Sequence, residues 1–223
     1  MKLHLGAGRV ILPVTKETEP VHLAPMPPAC FEEGWVNVDK YKNSGIEETV
    51  DLFKFPWIRS TNGMPFLDDS VDEIYTSHLV EHIPHEVRVS SPVPMGWAKR
   101  YSELCEEYDG WFVFFAECWR VLKPDGLIHV VAPYAMSAAA IHDPTHTRLV
   151  TPASFGYLKD TASDAPFDYH IPCHFEPVDS PMMRYTSQWV KQVQGMTSDE
   201  TSVLARTYFG VCDEVRVTMR AVK

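Results

Sequence analysis

The feature that most constrains this chain is a series of short strand-like runs along its first 133 residues, most of them ending on or beside glycine, serine, proline or an acid. "KLHL" (Lys2–Leu5) stops at Gly6. "GWVNVD" (Gly34–Asp39) carries Trp35, Val36 and Val38, residues that favour extended backbone. "ETVDLF" (Glu48–Phe53) is a third, shorter candidate. A strand around Glu73–Ser77 and "LIHVVAP" (Leu127–Pro133) read as buried. Before the last of these, "YDGWFVFFAECWRVLKPDG" (Tyr108–Gly126) reads as a helix and its stop. Phe112, Phe115, Trp119 and Leu122 fall at helical spacing, with Pro124 and Gly126 just beyond the end. Strands alternating with helices or loops imply parallel pairing through right-handed crossovers. The expected fold class is therefore α/β, a doubly wound and mainly parallel sheet.

The last part of the chain departs from that alternation. "SVLARTYFG" (202–210) and "DEVRVTMRAVK" (Asp213–Lys223) read as two strands joined tightly, an antiparallel C-terminal hairpin closing the sheet edge. "TPASFGYL" (Thr151–Leu158) starts like a helix, with Thr151 as cap and Pro152 in the first turn. No linker or repeat divides the sequence. One domain over 1–223 is expected, elaborated at about 84–107 and 134–200.

Composition narrows the function classes. Apolar residues make up 45%, too many for a disordered chain. No run of 18 apolar residues exists, so no membrane partner is expected, and the N-terminal run is too short for a signal-peptide core. The five cysteines are odd in number and lack C-x-x-C spacing, which points to reduced thiols and a cytoplasmic location. A formal charge of −10 without a basic run disfavours duplex nucleic acid, and the expected partner is a small-molecule or nucleotide-like acceptor.

In an open α/β sheet, ligands sit beyond the carboxyl ends of the strands. Gly6 and Gly8 lie at such an end, where glycine lets the backbone turn sharply and approach a ligand. Ile11 stands where a dinucleotide fingerprint has its third glycine, so a plain strand-ending turn is the alternative. Asp39 ends the second strand and could accept both hydroxyl protons of a ribose. It could equally be an exposed strand-end acid. Asp51 could accept from an adenine amino group while Leu52 covers the ring. Lys40 and Lys54 offer the alternative of surface ion pairs.

Taken together, "LHLGAG", "GWVNVD", "VDLFKFPW", "PFLDDSVDEIYTSHLVEHI" and "FFAECWRVLKPDGLIHVVAP" resemble class I S-adenosylmethionine-dependent methyltransferases. The resemblance is to the branch with "LEH" after the fourth strand and "RVLKPGG" before the fifth, and it covers residues 2–133. It implies a Rossmann-like methyltransferase using S-adenosyl-L-methionine. Gly6, Ala7 and Gly8 would line the methionine part, Asp39 the ribose, and Asp51 and Leu52 the adenine. Ser77, His78 and Leu79 would lie beside the sulfonium end, and Glu81 and His82 occupy the acidic and histidine positions of that motif on the substrate side. Two departures stand out. A segment holding Pro13, Pro20, Pro25, Pro27 and Pro28 replaces the usual helix after the glycine turn, and Asp125 occupies a position usually held by glycine.

Histidines recur at a spacing of four in "HLVEH" (His78–His82), "HDPTH" (His142–His146) and "HIPCH" (His170–His174). On a helix such pairs could hold a metal, but Pro144 and Pro172 interrupt two of them. "HDPTHTRLVTPASF" is also similar to a segment beyond the fifth strand in some methyltransferases of this branch. That places His142, Asp143, His146 and Arg148 near the substrate mouth. The leading reading takes His146 or His142 as a base and Asp143 as its orienting acid, with no metal. Arg148 would clamp an anionic substrate group. A metal-assisted reaction on the same fold, a structural loop network, and a binding protein with a degenerate pocket remain open. Trp111, Phe112, Phe114, Phe115 and Trp119 read as helix core, and Met182 and Met183 as gap fillers.

Overall fold

A computed structural model describes residues 1–14, 28–87, 89, 108–159 and 173–223. Most of the expected elaboration at 84–107, the middle of the proline-rich segment, and His170 lie outside the described residues.

The α/β sheet is present. Its central strands are β1 (Lys2–Leu5), β2 (Trp35–Asp39), β3 (Glu48–Thr49) and β4 (Val71–Ser77). A small antiparallel pair, β5 (Glu86–Val87) and β6 (Tyr108–Asp109), stands apart from it. Helix α1 (Gly110–Val121) leads into β7 (Leu122–Pro133). Beyond it come helix α2 (Ala138–His142), strands β8 (Phe175–Pro177) and β9 (Met182–Tyr185), helices α3 (Val190–Val193) and α4 (Ser198–Thr207), and strand β10 (Cys212–Ala221). The strand order is β3-β2-β1-β4-β7-β10-β8, with β9 also on β10. Pairing is parallel from β3 through β7 and antiparallel wherever β10 takes part.

Alternation along the strands separates the two faces. Leu3 and Leu5 of β1, Ile74 of β4, Ile128, Val130 and Ala132 of β7, and Val215 and Val217 of β10 share one core with Phe114 and Phe115 of α1. Nearly all of α1 is buried, which is why its apolar residues run beyond one stripe. The opposite face carries His4, Tyr75 and Val131, with Leu12, Val14 and Cys30 packed around the last two. Those covering residues come from the proline-rich segment. Asn37 fastens it to the sheet: its Oδ1 accepts from the Leu12 N–H and its Nδ2 donates to the Leu12 carbonyl, each at 2.8 Å. Among the described residues, 11–14 and the 3₁₀ turn Pro28–Phe31 thus cover this face.

The KPDG turn falls inside a register shift between β4 and β7. Asp125 there has φ 61°, a left-handed backbone that aspartate tolerates better than most residues. The third candidate strand is shorter than expected. Only Glu48 and Thr49 pair, and Asp51 and Leu52 already lie in the following turn. Residues 151–158 form a 3₁₀ turn, Pro152–Tyr157, with the Thr151 N–H donating to Ser154 Oγ at 3.1 Å.

The antiparallel edge exists, but the first run of the expected hairpin is helical. Residues 202–207 belong to α4, and the strands antiparallel to β10 are β7, β8 and β9. The local cause is a capping box. Thr197 Oγ1 accepts from the Glu200 N–H at 3.3 Å, and Glu200 Oε2 accepts from the Thr197 N–H at 2.7 Å. The sequence T-x-x-E at 197–200 carries that signal. Thr197→Ala is expected to cost about 1 kcal/mol, the usual worth of an N-cap, measured by urea unfolding followed by circular dichroism. No loss would mean that packing alone holds α4.

Candidate active site

The strand order reverses between β1 and β4: β2 and β3 extend one way from β1, while β4 and β7 extend the other. A crevice opens beyond the carboxyl ends at such a switch point. A cavity of about 270 Å³ lies there, lined by His4, Gly6, Ala7, Val10, Tyr75, Ser77 and His78. Gly6 and Gly8 have φ of 68° and 54°, the left-handed region that glycine enters without strain. A Cβ on Gly6 would stand 3.1 Å from Leu79 Cδ1, so the expected neighbours Gly6 and Leu79 do meet.

Asp39 is tied to this turn. Its Oδ2 accepts from the Gly8 N–H at 2.9 Å, and its Oδ1 accepts from the Tyr41 N–H at 2.9 Å. Each carboxylate oxygen keeps a lone pair for another donor. The hydroxyls of Tyr75 and Ser77, two cavity residues, are buried side by side and have no partner beyond each other among the described residues. Buried polar atoms are nearly always satisfied in native proteins, so these two mark a place where a polar ligand fits. Burial drives the pKa of His4 down to about 4, which leaves it neutral beside Asn37.

The adenine pair behaves differently. Asp51 faces Lys54 and Lys40 at 3.5 and 3.9 Å, the surface pairing that the lysines offered. Leu52 is 4% exposed and packs in the main core, so its side chain is committed there.

Beyond the cavity, the chain leaves β4 through His78, a non-glycine residue at φ 53°. That kink sets the His78 ring between two buried acids. Nε2 stands 3.2 Å from Glu214 Oε1, and Nδ1 stands 3.4 Å from Glu81 Oε1. Burial works against the charge, but the Glu214 and Glu81 carboxylates outweigh it and raise the pKa to about 9. Arg184 and Arg216 hold Glu214 from the other side, at 3.0 and 3.1 Å. Glu214 lies on β10, where nothing local in the sequence marked it.

The 3₁₀ turn Val80–His82 then brings Glu81 and His82 against the segment after α2. The His82 and His146 rings meet edge to face with centroids 4.6 Å apart. His146 Nε2 lies 3.9 Å from Glu81 Oε1, and its Nδ1 lies 3.0 Å from the Ala140 carbonyl. Asp143 approaches His146 at Nε2 and not at Nδ1, with Oδ2 4.0 Å away. Its Oδ1 accepts from the hydroxyl and N–H of Thr145, which keeps the acid below its ordinary pKa, and Thr145 Oγ1 lies 3.0 Å from His82 Nδ1. Thr145 was missed by sequence reasoning. His142 is exposed at the end of α2 and stays outside the cluster. Arg148 closes on the chain's own backbone: Nε donates to the Ile83 carbonyl and Nη2 to the Pro84 carbonyl, each at 2.8 Å.

No family model matches this chain, and no curated protein matches it. Among solved structures it is similar to a SAM-dependent methyltransferase from Archaeoglobus fulgidus, at 17% identity and TM-score 0.48, covering 98% of this chain and 85% of that one. It is similar to an S-adenosylmethionine-dependent methyltransferase from Mesorhizobium loti, at 14% identity and TM-score 0.45, with coverage of 98% and 89%. It is also similar to the [4+2]-cyclase SpnF, at 11% identity and TM-score 0.46, with coverage of 99% and 74%. Among the described residues, no helix is long and apolar enough to cross a membrane.

Proposed function

We propose that this chain is an S-adenosylmethionine-dependent methyltransferase acting on a small molecule. The observation that carries the reading is the junction at the switch point: the Gly6–Gly8 turn locked to Asp39, beside a cavity lined by the buried hydroxyls of Tyr75 and Ser77. When bound, the cofactor supplies an electrophilic methyl group. Gly6, Ala7 and Gly8 let its amino-acid end approach the backbone. Asp39 accepts from the ribose hydroxyls, and Asp51 remains the candidate partner for the adenine amino group. Ser77, His78 and Leu79 border the reacting end, with Leu79 and Val10 excluding water. The acceptor enters from the side of Glu81, His82 and His146, and alignment of the two substrates is the main contribution of the protein. His146, the candidate base for an acceptor that carries a proton, has its Nε2 beside Glu81.

The test is titration calorimetry of the full chain with S-adenosylhomocysteine. One equivalent should bind. Ligand at a hundred times its Kd should stabilise the fold by about 2.7 kcal/mol, which raises Tm by roughly 5–11 °C for a chain of this size. A donor-consumption screen over metabolite acceptors follows. No heat and no shift at millimolar ligand would favour a binding protein with a degenerate pocket.

A further inference from the structure

We infer that Glu81, His82 and His146 form a binding site for one divalent transition-metal ion. One candidate ligand atom from each residue lies within 4.8 Å of the others. A proton acceptor needs a single such group, but here three converge from two separate segments.

The second shell fixes the ligand atoms. The Ala140 carbonyl can only accept, so His146 Nδ1 carries a hydrogen and donates to it. That leaves the His146 Nε2 lone pair facing Glu81. Thr145 Oγ1 donates its one hydrogen to Asp143 Oδ1, so it accepts from His82 Nδ1–H, and the His82 Nε2 lone pair is free as well. Metal-binding histidines are held in this way, with the far ring nitrogen on a carbonyl or tied to a carboxylate. The third ligand supplies an independent sign. Glu81 is 1% exposed, and among the described residues its Oε1 meets His78 and His146 only at ion-pair distance while its Oε2 has no hydrogen-bond partner. Its nearest cation, His78, stands at 3.4 Å, an ion-pair distance. His78 meets Oε1, so Oε2 is the buried oxygen left open to a metal ion.

Two imidazoles and one carboxylate suit zinc or iron(II), with positions left open for water or a substrate hydroxyl. Ligand atoms around one ion at about 2.1 Å stand roughly 3.4 Å apart, so loading draws the cluster together by about 1 Å. His82, partly exposed and held by Thr145 and the edge of the His146 ring, is the group placed to move. The site needs no bound S-adenosylmethionine, so it stands or falls separately from the methyl-transfer reading.

The experiment uses the full chain, stripped with a chelator, dialysed and titrated with Zn²⁺ by calorimetry. Co²⁺ loading is followed in parallel by its visible absorption bands. One equivalent should bind tightly and give ligand-field bands. His82→Ala and His146→Ala should each weaken Zn²⁺ by more than a hundredfold and change those bands. Thr145→Val should weaken it about tenfold to a hundredfold through the lost second-shell bond. His142→Ala, at the end of α2 four residues before His146, should bind like wild type. The inference is overturned by an absence of stoichiometric binding, or by His82→Ala and His146→Ala titrating like wild type. Glu81→Gln is a further arm. Should that variant unfold, the two histidine variants still decide.

Discussion

Glu117→Ala will lower the melting temperature by roughly 6–20 °C, as follows from the 3–5 kcal/mol lost when one partner of a buried ion pair is removed. Glu117 is fully buried on α1. Its Oε1 accepts from the Trp57 N–H at 2.9 Å, and its two oxygens accept from Arg120 Nη2 and Nε at 2.7 and 2.8 Å. Arg120 is itself 5% exposed and donates to the Phe66 carbonyl and to Asp68. Truncation would strand a buried guanidinium and orphan the Trp57 amide. The double variant Glu117→Leu with Arg120→Met should recover much of the loss, because it removes both charges and keeps the volume. A single-variant loss under about 1 kcal/mol would mean that water reaches the pair. The site depends on this helix. Asp109, its N-cap, accepts from Arg148 at 3.2 Å, and Arg148 binds the turn that carries Glu81 and His82.

What the sequence revealed and what it hid have one physical explanation. Local periodicity located the central strands and α1, because alternation and helical spacing are properties of neighbours. The glycine turn and Asp39 were legible for the same reason, as features of strand ends. Leu52 was placed at the adenine because the third strand looked longer than it is; the turn after Thr49 carries that side chain into the core. The histidine spacing misled in another way. Spacing of four presumes a helix, but His82 pairs with His146 across 64 residues, and its sequence neighbour Glu81 completes the group. Glu214 and Thr145 reach the site through tertiary contacts that no short window contains. The capping box at Thr197–Glu200 was legible and would have identified α4.

Asp39→Ala will weaken S-adenosylhomocysteine by about 30–150-fold, the equivalent of roughly 2–3 kcal/mol for two hydrogen bonds to a charged acceptor. Two losses combine. The ribose hydroxyls lose their acceptor, and the Gly8 N–H loses the carboxylate that fixes the glycine turn. The second loss separates this variant from Asp51→Ala, whose carboxylate, among the described residues, holds the local Phe53 N–H at 3.3 Å and two exposed lysines. Asp51→Ala should therefore cost less than tenfold, about 1.4 kcal/mol at most. Hydrogen exchange resolves the two contributions. In the free protein, Asp39→Ala should raise exchange at Gly8 and Tyr41, the two amides that its carboxylate accepts from. Wild-type exchange with weakened binding would assign the whole effect to the ribose. Wild-type binding would place the acid outside the cofactor site and leave the Gly6–Gly8 turn as a structural corner.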